Sequence, residues 1–220
     1  MEKKCDIDLG IEATKQLMDH CLSLGFNGFF EISTEESIRY FSPNDLQKII
    51  NSCLDYPVKY VVIQSGTSLI ENRNNGNYNQ NRLKKFIEIT RSKNLLSKEH
   101  NGDYIDTSII RSKIRCGLDA INIAPEFGCF ESLCYINNIK KYDLNLLNTF
   151  YTICYNSGQW KKWVSNEFDF RNRENLIVIC GHYVLNSDEF CEKVKSKLPD
   201  ISQEIKNKIK DKILSIYSNV

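Results

Sequence analysis

Net charge is almost absent: 29 Lys+Arg stand against 28 Asp+Glu in 220 residues, a formal +1. No global field therefore draws the chain to nucleic acid or to an anionic membrane, and an anionic ligand has to be held locally. No apolar run reaches the roughly 18 residues a bilayer span needs, and the opening Met1-Glu2-Lys3-Lys4-Cys5-Asp6 lacks the apolar core of a signal peptide. The expectation is a cytoplasmic protein with neither nucleic-acid nor membrane partners. Cys-x-x-Cys, His-x-His and His-Glu-x-x-His patterns are missing as well, so a metal would have to be gathered from separate strands. The nine cysteines, Cys5 among them, are odd in number and widely spread, which suits small buried core residues better than a disulfide framework. No internal repeat is visible, and the one low-complexity stretch, residues 72–81, reads as a polar loop. With 41% hydrophobic and 26% charged residues, the composition is that of a globular chain, not of a disordered or fibrous one.

What is present is alternation. Short apolar strand candidates at residues 28–32, 60–64, 95–98 and 120–123 are separated by helical stretches at 11–24, 43–54, 81–93 and 108–116. The third helix shows its period clearly, with Leu83, Phe86, Ile87 and Thr90 on one face and Arg82, Lys84, Lys85 and Glu88 elsewhere. Such alternation predicts an α/β fold with a parallel (βα) repeat. The few units here fall short of a closed eight-stranded barrel, which takes about 250 residues, so a shortened or partial TIM-barrel-like sheet is expected. Residues 1–128 hold the βα units, and 129–220 read as a mainly helical completion of one domain. Within that second part, residues 176–180 suit a buried strand or a helix, Asp200-x-x-Gln203 resembles a capping box, and Ile205, Ile209, Ile213 and Ile216 stripe a terminal helix.

Ligands in parallel α/β folds bind at the carboxyl ends of the strands, and here those ends are polar. They read Glu31-Ile32-Ser33-Thr34, Gln64-Ser65-Gly66-Thr67, Lys98-Glu99-His100-Asn101-Gly102-Asp103-Tyr104 and Asn122-Ile123-Ala124-Pro125-Glu126. Alternation along a strand places Lys98 and His100 on one face. Ionisable groups at a buried strand end need partners or a use. Ser33, Thr34, Ser65, Thr67 and Asp103 suit turn or cap roles equally well. His20 reads as structural, and His182 would reach the strand ends only if residues 176–180 were a strand.

Taken together, Glu99-His100-Asn101-Gly102-Asp103-Tyr104, followed by Ile121-Asn122-Ile123-Ala124-Pro125, resembles the non-catalytic subunit family of class II D-tagatose-bisphosphate aldolase, a TIM-barrel family. Gln64-Ser65-Gly66, Glu31-Ile32-Ser33 and the helix at 204–217 are similar too. The family's Gly-Gly-Asp-His-Leu-Gly-Pro segment is absent between Asp45 and Tyr60. The resemblance implies carbohydrate metabolism: sugar or sugar-phosphate carbon chemistry of the lyase (aldolase) or epimerase type, with a homo-oligomer or an aldolase partner subunit. It also leaves open a non-catalytic regulatory subunit. Residues 25–33 are similar to a strand of phosphosulfolactate synthase, an enolpyruvate-condensing barrel.

Cleavage or epimerisation beside a carbonyl needs a general base and an electrophile for the enolate. The candidates are His100 as acid/base with Glu31 or Asp103 as its partner, and Gln64, Ser65, Gly66, Thr67, Asn101, Gly102, Asn122 and Glu126 around the substrate. The electrophile would be a divalent metal (zinc or similar) on His100 and Glu99, or Lys98 through a Schiff base.

Overall fold

A computed structural model describes residues 6–34 and 40–217. Cys5 and the opening residues 1–5 lie outside the described residues. In chain order the elements are α1 (Ile7–Ser23), β1 (Phe30–Ser33), α2 (Pro43–Ser52), β2 (Val58–Val62), β3 (Leu69–Ile70), β4 (Arg73–Asn74), α3 (Gln80–Arg91), β5 (Leu96–Glu99), α4 (Thr107–Arg115) and β6 (Ala120–Ile121). Helices follow: α5 (Pro125–Tyr142), α6 (Asn145–Ser157), α7 (Arg173–Cys180), α8 (Asp188–Lys193) and α9 (Ser202–Tyr217). The chain forms two compact units: Met1–Ser68, Asn75–Gly102 and Ser108–Asn122 make the first, and Leu69–Asn74, Asp103–Thr107 and Ile123–Val220 the second.

The first unit is the βα part. Its sheet runs in the order β1-β2-β5-β6, and every neighbouring pair is parallel, as the alternation predicts. Among the described residues it does not close into a barrel; β1 and β6 stand at its edges. Its helices α1, α2 and α3 each start where the sequence provides a cap. Ser42 and Asp45 form a reciprocal capping box with Pro43 in the first turn of α2, and the Asn79 side chain accepts the Arg82 amide at the start of α3. The core gathers Val61 of β2 and Ile63 just past its end with Leu46, Ile50, Leu83 and Phe86 from α2 and α3.

The second unit is helical around an aromatic centre. Tyr135, Phe150 and Phe190 meet with ring centroids 4.7–6.4 Å apart, edge-on or tilted, as ring quadrupoles favour. Two sequence expectations are corrected here, and one left open is decided. Part of the low-complexity stretch pairs: β4 runs antiparallel to β3 as a two-strand ribbon. Residues 176–180 belong to α7; all five are buried, so the run is apolar on every side and carries no helical period. The Asp200 carboxylate accepts the Ser202 amide, but Gln203 turns to Asn207 instead of closing a box. The eight described cysteines are all free, and Cys53, Cys129, Cys134, Cys154 and Cys180 are buried. No helix is long and apolar enough to cross a membrane among the described residues.

Candidate active site

Strand alternation builds the central cluster. Along β5, Ser97 and Glu99 are buried while Leu96 and Lys98 are half-buried, so Lys98 lies on the other face of the strand. Glu31 of β1 is level with Tyr60 of β2, which is level with Leu96. From two residues further on, Lys98 reaches back past Tyr60, its ammonium 6.0 Å from that ring, and donates to Glu31 Oε2 at 2.6 Å. His100, just past the strand end, places Nε2 3.1 Å from Glu31 Oε1. The three side chains are 19%, 31% and 28% exposed for Lys98, Glu31 and His100, so they are desolvated in part yet reachable from solvent. Burial alone raises the Glu31 carboxyl, but hydrogen bonds and charge from Lys98 and His100 outweigh it, and the group sits below its usual 4.5.

On the opposite face, Glu99 is fully buried. Its Oε2 accepts Lys113 Nζ of α4 at 2.6 Å, and Nζ also donates to Ser65 Oγ at 2.9 Å and lies 4.8 Å from the Tyr78 ring. Glu99 and His100 therefore aim at different partners and are not brought together as a ligand pair. Among the described residues no group of three His, Cys, Asp or Glu side chains could hold a metal ion. At the cluster itself Glu31 and His100 are the donors, and a lysine ammonium already occupies one carboxylate oxygen. This set does not fit a divalent cation.

The end of β2 is organised by a residue that the sequence pattern hides. Arg82 reads as a solvent-face charge of α3, yet its guanidinium donates to the Gln64 carbonyl at 2.8 Å, to Gln64 Oε1 at 2.7 Å and to the Phe41 carbonyl at 3.0 Å. It also stacks 3.5 Å from the centre of the Tyr40 ring. Its place in the first turn of a helix that follows a strand end was the available signal. Gln64 is thus held internally, as is Ser65. Gly66 and Thr67, by contrast, border a cavity of about 300 Å³ with Ser68, Asn77, Asn79 and Arg82. Gly66 has φ +96°, and a Cβ there would stand 1.8 Å from the Asn77 carbonyl oxygen, so only glycine lets these loops touch. Thr67 Oγ1 donates to the His100 carbonyl at 3.1 Å, which ties the cavity wall to the cluster. Asn101 is half-buried at φ 57°, the Gly102 amide donates to the Asn122 carbonyl at 2.8 Å, and Asn122 is exposed.

Asp103 and Glu126 belong to the second unit. Asp103 Oδ1 accepts the Ala124 and Glu126 amides, both at 2.8 Å, and so caps the first turn of α5. Burial raises its carboxyl above the usual value against the pull of those amides, with the Glu126 charge adding to the rise. Glu126 accepts the Tyr104 amide at 2.8 Å and Lys212 Nζ of α9 at 2.7 Å. His182 follows the helix α7, not a strand; burial, with Lys162 nearby, lowers its pKa.

No family pattern and no curated protein matches this sequence. Solved structures do match. A probable tagatose 6 phosphate kinase from Sinorhizobium meliloti 1021 superposes with TM-score 0.60 at 14% identity over 76% of this chain and 48% of its own. Fructuronate-tagaturonate epimerase UxaE from Cohnella laeviribosi does so with TM-score 0.57 at 11% identity over 95% of this chain and 46% of its own. The chain shares their fold. It spans about half the length of each. The likeness fits the fold that the resemblance implies.

Proposed function

We propose that this chain works on the carbon framework of a sugar or sugar phosphate, by aldolase-type or epimerase-type proton transfer beside a carbonyl. The observation that carries the reading is the Glu31 carboxylate of β1 bonded at once to Lys98 and His100 from the carboxyl end of β5. In aldol cleavage the base takes the proton of the hydroxyl on the carbon to be released. The carbon–carbon bond then breaks, and its electron pair passes through the adjacent carbon to the carbonyl oxygen as an enolate. In epimerisation the base takes the proton from the carbon beside the carbonyl, and the same enolate forms. His100 is the proton carrier, Glu31 orients it, and the Lys98 ammonium lies where enolate charge would develop. Lys98 has a second option: after its ammonium passes a proton to Glu31, the amine adds to the carbonyl, and loss of water gives a Schiff base. The donor set gives no step through a metal. The cavity beside Arg82, Asn77 and Asn79 suits a phosphate group, with Thr67 linking it to His100.

Incubation with ketose phosphates and with dihydroxyacetone phosphate in deuterium oxide tests this, because both reactions exchange a carbon-bound proton with solvent. Exchange seen by proton NMR, lost in His100→Ala and kept in His20→Ala, is the expected result. A second reading, an accessory subunit that stabilises a class II aldolase, is favoured by the absence of the Gly-Gly-Asp-His-Leu-Gly-Pro segment between Asp45 and Tyr60. Absence of exchange together with stimulation of an added aldolase would favour it.

A further inference from the structure

Glu99 and Lys113 are 0% exposed, and Glu99 Oε1 is a buried oxygen with no hydrogen-bond partner among the described residues. A buried ion pair of this kind is a poor way to gain stability, since apolar groups of the same volume do as well or better. Its place in the chain gives it another use. Glu99 stands between Lys98 and His100, and on an extended backbone neighbouring side chains point to opposite faces. A carboxylate drawn to the back of the sheet by Lys113, which Ser65 holds in turn, turns the residues on either side of it to the front, where Glu31 meets them.

We infer that Lys113 is a positioning residue: by anchoring Glu99 behind β5, it directs Lys98 and His100 onto Glu31. The inference rests on the reading of that cluster as the active site, but its geometry is tested without substrate. Lys113 touches neither the cluster nor the cavity beside Arg82 and acts through the backbone of β5. The bonds that matter are directional, from one ammonium to a carboxylate and a hydroxyl, so filling the same volume with apolar atoms does not replace them.

Pulsed reductive methylation, read by mass spectrometry at Lys98, reports whether its amine is held on Glu31. Thermal melting of the same samples reports packing. Glu31→Gln supplies the rate for a released Lys98. In the double variant Lys113→Met with Glu99→Leu, the melting temperature is expected to return to that of the parent. Methylation of Lys98 is expected to stay about tenfold faster than in the parent, the change that corresponds to one lost charge-assisted hydrogen bond. Lys113→Arg, which keeps the charge and the donors, is expected to rescue slow methylation. A double variant that regains both stability and slow methylation would show that packing alone matters and would overturn the inference. Should the double variant fail to fold, Glu99→Gln decides by the same measure, with parental methylation again overturning it. A chain that shows no sugar turnover can still give the expected labelling, so the two failures are distinguishable.

Discussion

Glu31→Gln removes the charge that joins Lys98 to His100 while keeping the shape of the side chain. In the parent, the carboxylate accepts at 2.6 Å from Lys98 and meets His100 at 3.1 Å, with each group less than a third exposed. Hydrogen bonds to charged groups contribute about 1.5–3 kcal/mol when buried, and solvent screening of this partly open cluster brings the expected loss to about 1–2 kcal/mol at pH 7. The pH dependence follows from the direction of the Glu31 shift. Its carboxyl lies below the usual 4.5 in the folded chain, so the folded state binds fewer protons there than the unfolded one. The contribution is therefore complete above the unfolded value and fades as pH falls through the folded value. Urea unfolding of parent and variant at pH 7, 5 and 3.5 should show a gap that closes in acid. A gap equal at all three values, or one that widens in acid, refutes the electrostatic account. Turnover should fall by about a hundredfold to ten-thousandfold in the same variant, the usual range for a lost acid/base partner.

Gly66→Ala places a methyl against the Asn77 carbonyl at a positive φ, so loss of the folded transition by circular dichroism, or a large drop in melting temperature, is expected; an unchanged melt contradicts the close approach. Asp103→Ala removes the acceptor of two buried amides at the start of α5, and should cost about 1–2 kcal/mol in denaturant unfolding, with a null effect ruling out the cap. Self-association or pairing with an aldolase subunit is expected from β1 and β6, the edge strands of the four-stranded sheet, and from Leu9, Leu17, Leu24 and Phe29, each at least 66% exposed. Light scattering that finds a monomer at micromolar concentration, with no aldolase retained, goes against it.

The sheet was legible because its signals are local. Apolar runs separated by amphipathic helices dictate parallel strands, and the Ser42-Pro43 start and the Leu83/Phe86/Ile87/Thr90 stripe need no tertiary information to mark their helices. Alternation also placed Lys98 and His100 on one face, and the same rule sets Glu99 apart from His100, which argues against joining them on one metal. The run 176–180 was ambiguous because a helix buried on all sides loses the period that would distinguish it from a strand. Packing decided the partners. Lys113 sits three residues after the buried Ile110 on the inner face of α4, a position that calls for a buried acid, but only the fold shows that the acid is Glu99. Asp103 could have faced His100 or capped a helix, and the α5 amides that occupy it come from residues about twenty positions later. Arg82 looked like a solvated charge until α3 packed beside the end of β2 and brought it to Gln64. Hydrophobic period and strand alternation are properties of neighbours along the chain, whereas the pairing of a charge depends on which distant segment the core brings beside it.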